Sequence, residues 1–228
     1  MLKHVPNLLT ISNLICGCIA LYFTFHNQMV FAAYLVGLAA IFDFMDGAAA
    51  RILKVSGPIG KELDSLADMV SFGVVPGSVV FHLIESSSWS TYSFVSLLIP
   101  ALSAYRLAKF NVDERQTRNF IGLPTPANCL FFASFPLILS FQEESNIALL
   151  ISMPEIVVSL TVVMSLAMVS EIPLFSLKFK NLRYAQNKLR FLFIATGILL
   201  IGLLKFSAIP IVVLLYIFFS MVFKPASE

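Results

Sequence analysis

Charge is scarce in this chain: 12% of its 228 residues are Asp, Glu, Lys or Arg, while 58% are hydrophobic and the mean hydropathy is +0.89. A soluble globule of this length needs more polar surface than that, so the composition excludes one and indicates an integral membrane protein. No polar stretch is long enough to build a second core, which predicts one membrane domain over residues 1–228. Soft metal ligands are scarce too. Cys16, Cys18 and Cys129 lie in apolar segments without a CxxC pair, and His4, His26 and His82 are scattered. The cysteines therefore read as small core residues, and neither a thiolate nor an imidazole metal site is legible. The N-terminal MLKHVPN lacks an Ala-x-Ala cleavage pattern and runs on into an apolar stretch, so it is expected to be retained as part of a span.

Apolar runs and their polar ends predict helices at about 8–25, 29–50, 61–84, 93–110, 126–141, 155–172, 191–204 and 207–223. The expected architecture is thus an all-α polytopic membrane bundle of about eight transmembrane helices, with six or seven as the alternative. Lys205 and Pro210 divide the last apolar run and favour two helices over one. Basic residues are almost missing from every second connection. With a cytoplasmic N-terminus, Lys3, Arg51, Lys54, Lys61, Arg106, Lys109, Arg115, Arg118, Lys178, Lys180, Arg183, Lys188, Arg190 and Lys224 all fall inside, and of the 15 only Lys205 falls outside. That asymmetry predicts a cell inner-membrane protein with its N-terminus and its basic loops in the cytoplasm. The segment LKFKNLRYAQNKLR from Leu177 to Arg190 suits either an interfacial stretch beside anionic headgroups or an ordinary basic loop.

Against this background Asp43, Asp46, Asp64 and Asp68 stand out. An ionised carboxylate among apolar groups costs several kcal/mol even after relaxation, so these acids need cations or water as compensation. On helices, Asp43 and Asp46 share one face and Asp64 and Asp68 share another. The intervening ILKVSGPIG turns the chain at Ser56, Gly57 and Pro58, so antiparallel neighbours bring both pairs to the cytoplasmic boundary. Gly47, Ala48, Ala49 and Ala50 leave room beside the acids. Oxygen-only ligands select hard divalent cations, and two such ions would balance four carboxylates and suit phosphoryl chemistry. The bland alternative, helix packing by small residues, leaves the negative charges unexplained.

The pattern Asp43-x-x-Asp46-Gly47-x-x-Ala50-Arg51, eight residues, Gly60-x-x-x-Asp64-x-x-x-Asp68 resembles the signature of the CDP-alcohol phosphotransferase family at every defining position. Ala48-Ala49 departs from the larger or basic residue often found after the glycine, without touching those positions. The resemblance implies transfer of a phosphatidyl or related phosphoryl group from a CDP-linked donor to an alcohol, with release of CMP. It implies that Asp43, Asp46, Asp64 and Asp68 hold Mg²⁺ or Mn²⁺, two ions in all, and that Asp68 is also the general base. It places Gly47, Ala50, Arg51 and Gly60 around the CDP moiety, with Arg51 near phosphate. Upstream, Pro6, Asn7, Thr10 and Asn13 resemble the family's first-helix pattern, with Thr10 and Asn13 facing the nucleotide.

Beyond the signature, ELDSLADMVSFGVVPG, RLAKFN, FIGLPTPA and SEIPLFSLKFKN resemble the family members that use L-serine as the acceptor. The resemblance runs from about Pro6 to Lys180, whereas the C-terminal pair at about 191–223 matches only in hydrophobicity. It implies CDP-diacylglycerol as donor, L-serine as acceptor, a homodimer in membrane lipid and no nucleic-acid partner. A cation is expected beside the serine carboxylate, and Arg106 and Arg118 are the candidates from an inner-face set that includes Lys109 and Arg115. Topology alone also accounts for those residues. Gly73 and Gly77 form a GxxxG pair, read as internal packing because Pro76 lies between them. The alternatives are the same transfer to glycerol 3-phosphate or inositol, an ion-coupled transporter, or a purely structural membrane protein.

Overall fold

The computed structural model describes residues 4–55, 57–113, 120–174 and 184–222. Ser56, Arg115, Arg118, and the basic residues Lys178, Lys180 and Arg183 lie outside them. Helix α1 (Val5–Phe25) starts with Pro6 in its first turn, where a missing N–H costs nothing. Helix α2 (Met29–Leu53) ends at Lys54, which adopts left-handed φ 51°. Helix α3 (Pro58–Asp68) begins with a proline after the extended Gly57. It continues through a π-helical turn (Met69–Val74) into α4 (Val75–Glu85). Pro76 explains that turn: it has no N–H to offer Phe72, and the ladder shifts so that Val75 N–H bonds the Val70 carbonyl five residues back.

A 3₁₀ segment (Ser90–Leu97) leads into α5 (Leu98–Val112). Helices α6 (Thr125–Phe141), α7 (Asn146–Ile151), α8 (Pro154–Val169), α9 (Tyr184–Leu204) and α10 (Ala208–Val222) complete the chain. Each of the eight predicted segments is helical. The differences are local: the fourth begins as 3₁₀, the sixth ends at Val169, and the short α7 and a two-residue antiparallel pairing were not expected. In that pairing β1 (Phe120–Ile121) meets β2 (Pro173–Leu174), with Ile121 opposite Pro173. Gly122 follows at φ 76°, and an added Cβ would collide with the backbone of Met168 and Ser170, so this turn admits only glycine.

Val5–Phe25, Met29–Leu53, Pro58–Glu85 and Asn187–Val222 are long and apolar enough to cross a membrane, and Thr125–Phe141 and Pro154–Val169 are shorter apolar helices. Together they make a polytopic membrane bundle. The last long run is divided as expected, by a 3₁₀ turn at Lys205–Ser207. Gln142 from the end of α6 satisfies that turn, accepting from Ser207 N–H at 2.9 Å and donating to the Leu204 carbonyl at 3.0 Å.

Two apolar clusters hold the helices. One is aromatic, with Phe131, Phe132 and Phe135 of α6 against Ile84, Ile99, Met164 and Met168. The other joins α1, α2 and the π turn through small residues: Cys16, Ala20, Ala32, Val36, Ala39 and Phe72, with Cys129 and Ala133 from α6. Cys16 and Cys129 are buried as predicted, but Cys18 faces outward beside exposed Ile15 and Ile19, on the flank a lipid would cover. Gly73 and Gly77 pack internally against α5, where added Cβ atoms would meet Ser103 at 3.1 Å and Pro100 at 2.8 Å.

Gly17 closes the contact between α1 and the π turn. A Cβ there would run into the Ser71 hydroxyl and stand 2.9 Å from the Ser71 Cα, so α1 reaches the π turn only because residue 17 has no side chain. Ser71 Oγ seals the contact by donating to the Asn13 carbonyl at 3.0 Å. Gly17→Ala is expected to cost roughly 1–3 kcal/mol through overpacking, read as a lower unfolding temperature of the detergent-solubilised protein. An unchanged melt would show that the helices separate without penalty.

Candidate metal centre

The lower ends of α1, α2 and α3 meet at the acids. Asp43 and Asp46 come from the penultimate turns of α2, and Asp64 and Asp68 from the last turns of α3. Asp43, Asp64 and Asp68 each bring one carboxylate oxygen within 4.8 Å of the others. At that spacing two carboxylates repel by about 3 kcal/mol with an effective dielectric near 20, so the cluster is poised for a cation. Asp68 is only 7% exposed, and its Oδ1 accepts from Asn13 Nδ2 at 3.2 Å. Asp64 Oδ1 and Asn13 Oδ1 are buried without a partner among the described residues. Orphaned buried oxygens cost ~1–3 kcal/mol each when unmet. An all-oxygen donor set with unfilled acceptors fits a hard divalent cation.

Asp46 lies outside that grouping, though near enough for its charge to act on all three acids. It is 7% exposed, and its Oδ2 accepts the Thr10 hydroxyl at 2.6 Å. The sequence grouped all four acids together; the structure draws three into one cluster and sets Asp46 on the wall of the adjoining cavity. That cavity, about 680 Å³, is walled by Pro6, Asn7 and Thr10 of α1, Asp46, Gly47, Ala50 and Lys54 of α2, and Gly60, Lys61 and Asp64 of α3. Asp64 thus belongs both to the cluster and to the cavity. An added Cβ at Gly47 would meet nothing within 4 Å, which leaves the wall open there, whereas one at Gly60 would touch Asn7 Oδ1 at 3.4 Å.

Arg51 is exposed and is not part of that wall, although Ala50 and Lys54 on either side of it are. Among the described residues, the lysines and arginines that reach the cavity are Lys54 and Lys61. Sequence reasoning used both only to set topology. Lys54 is carried there by its left-handed backbone at the end of α2, a conformation that no glycine or asparagine announced. Lys61 Nζ also donates to the Asn111 carbonyl at 2.6 Å, and Asn111 Nδ2 donates to Ser65 Oγ at 2.9 Å, which ties α5 to α3.

Arg106 is 8% exposed and lies deep in α5. Its Nη1 donates to Thr125 Oγ1 at 2.9 Å, its guanidinium faces the Phe110 ring at 6.0 Å, and its charge is close enough to act on Asp68. Lys109 does not share that position, because it pairs with Glu171 at 2.9 Å. Arg118 lies outside the described residues.

Three carboxylates around a common point, beside a cavity with lysines and small residues on its wall, can hold a divalent cation against a phosphate-bearing ligand. Residues 3–169 match the sequence profile of the CDP-alcohol phosphatidyltransferase family. Among curated proteins, the chain is 34% identical over 140 residues to the CDP-diacylglycerol--serine O-phosphatidyltransferase of Bacillus subtilis strain 168, covering 59% of this chain and 77% of that one. It is 36% identical over 124 residues to the protein of that name from Helicobacter pylori strain J99, covering 54% and 52%. It is 34% identical over 151 residues to the one from Methanocaldococcus jannaschii, covering 65% and 69%. The match thus spans about half the length of the Helicobacter relative. With residues 3–169 matching the family profile and three of the four signature acids grouped in space, the chain belongs to the CDP-alcohol phosphatidyltransferase family.

Proposed function

We propose that the protein transfers the phosphatidyl group of CDP-diacylglycerol to the hydroxyl of L-serine, giving phosphatidylserine and CMP. The observation that carries this reading is the convergence of Asp43, Asp64 and Asp68 beside a cavity that shares Asp64. Supporting L-serine as the acceptor are the names of the relatives and a buried arginine near Asp68 that suits a carboxylate-bearing alcohol.

Asp43, Asp64 and Asp68 hold Mg²⁺ or Mn²⁺, with Asp46 completing the ligand set for a second ion. When bound, the cations neutralise the donor's phosphates and the charge developing on CMP. The wall of Thr10, Gly47, Ala50 and Gly60 takes the nucleotide, while the diacylglycerol tails extend into lipid past the apolar flanks of the helices. Asn13 holds Asp68 by one carboxylate oxygen and leaves the other to face the acceptor. Asp68 takes the serine hydroxyl proton as that oxygen bonds to the phosphatidyl phosphorus. The phosphorus–oxygen bond to CMP breaks, and CMP departs with the electron pair. Lys54 and Lys61 counter the negative charge of the departing nucleotide. Arg106 binds the serine carboxylate, a role proposed for Arg118 as well. The site and N-terminus face the cytoplasm of the cell inner membrane, one membrane domain carries the whole activity, and the protein works as a homodimer.

The test is an acceptor competition. Purified protein receives CDP-diacylglycerol, Mn²⁺ or Mg²⁺, and equimolar L-serine, glycerol 3-phosphate and inositol, and the lipid product is identified by mass. Phosphatidylserine with stoichiometric CMP is expected. Phosphatidylglycerol phosphate or phosphatidylinositol would retain the chemistry and overturn the acceptor.

A further inference from the structure

The mechanism leaves a group of buried polar atoms unused. Asn128 of α6 is wholly buried, yet neither its Nδ2 nor its Oδ1 has a partner among the described residues. Arg106 Nε and Ser165 Oγ, on α5 and α8, are likewise buried without a partner among the described residues. Contacts between the helices set Arg106 beside the α6 turn that carries Asn128, with Ser165 on the neighbouring α8. Arg106 bonds Thr125, which stands one turn before Asn128 on the same face of α6. Ser103, one turn before Arg106, lies 3.6 Å from Met168 Sδ, and Ser165 is one turn before Met168 on α8. Cys129, the neighbour of Asn128, reaches the Ser71 carbonyl at 3.6 Å, in the π turn that directly follows Asp68. The cluster therefore abuts the acid that receives the acceptor's proton, on the α5–α6–α8 side, while the nucleotide cavity opens on the α1–α2 side.

A buried amide satisfied at neither end is rare, because each unmet donor or acceptor forfeits the hydrogen bond it had in water. A ligand that completes all of them must offer acceptors to Arg106 Nε–H and Asn128 Nδ2–H and a donor to Asn128 Oδ1. A zwitterionic amino acid does this with a carboxylate and an ammonium on one carbon. Glycerol 3-phosphate brings only acceptors at its charged end, and inositol has no anion for Arg106. We propose that Asn128 is a specificity-determining residue of the acceptor site: its carbonyl accepts from the ammonium of the amino-acid alcohol, and its NH₂ joins Arg106 on the carboxylate. The assignment rests on the proposed acceptor and names the group that selects it.

The experiment compares L-serine with 3-hydroxypropionate, which keeps the hydroxyl and carboxylate and lacks the amino group. Wild-type enzyme, assayed first, tests the acceptor reading alone: a different preferred acceptor overturns that reading and this proposal with it. If phosphatidylserine forms, Asn128→Ala is expected to lower the ratio of kcat/KM for serine over 3-hydroxypropionate by roughly 10- to 100-fold, the range for one hydrogen bond to a charged group. The serine KM rises while the CDP-diacylglycerol KM stays put, a split that loosened packing would not produce. Asn128→Ser supplies the same ratio if the alanine variant fails to fold. A ratio unmoved in folded variants, alongside phosphatidylserine synthesis by the parent, overturns the Asn128 assignment alone and leaves its amide to a buried water.

Discussion

Asp68→Asn is expected to reduce phosphatidyl transfer by roughly 10²- to 10⁴-fold, the range spanned by loss of a positioned general base. The substitution is nearly isosteric and keeps an oxygen for Asn13 to donate to, so the α1–α3 contact at 3.2 Å survives. What disappears is the ability to take a proton at the acid cluster, together with one anionic ligand of the proposed cation. At saturating cation, serine and CDP-diacylglycerol KM should change far less than kcat, because the nucleotide wall and the Arg106 region are untouched. Turnover and CMP release are measured on protein whose size-exclusion profile matches the parent. Full turnover would assign the base elsewhere, with Asp64 the next candidate because it faces both the cluster and the cavity.

The acids were legible in the sequence because ionised groups in greasy helices carry a cost that demands a reason, and because three- and four-residue spacings fix a shared face whatever the tertiary contacts. The helical segments were legible for the same kind of reason, since apolar length constrains a membrane chain more than propensity does. Thr10 and Asn13 needed the family resemblance: an isolated polar residue in a span is as often a helix–helix bond as a ligand contact, and only the structure supplies the 2.6 Å bond to Asp46. The place of Asp46, bonded to Thr10 of α1 outside the grouping of the other three acids, is a tertiary feature that spacing along α2 does not give. The π turn after Asp68 follows from Pro76, yet the same proline is compatible with a plain kink, so the sequence allowed either. Asn128 and Ser165 were invisible for the opposite reason. Each is one of several polar residues in a mainly apolar helix, and only the absence of partners among the described residues marks them.

Removing divalent cations will stop the reaction and lower the unfolding temperature, and the carboxylate variants will separate a metal centre from a structural acid cluster by sign. In the cation-free protein Asp43, Asp64 and Asp68 lie within 4.8 Å of one another, so ionising all three sets like charges against each other with no cation to compensate them. A cation at 100 times its dissociation constant adds about 2.7 kcal/mol to stability, so Mn²⁺ or Mg²⁺ should raise the melting temperature of the parent protein measurably. Asp64→Asn relieves the repulsion permanently. Without cation, that variant should melt above the parent. With cation, it should gain little and fall below it, while transfer drops on the order of 10²- to 10³-fold for loss of a charge-stabilising group. If the three acids served the fold instead, Asp64→Asn would melt lower than the parent in chelator and in Mn²⁺ alike, and chelation would leave both stability and CMP release where they were. The crossing of the two melting series is therefore the decisive readout, since neither loss of activity nor loss of stability alone distinguishes a ligand from a structural residue.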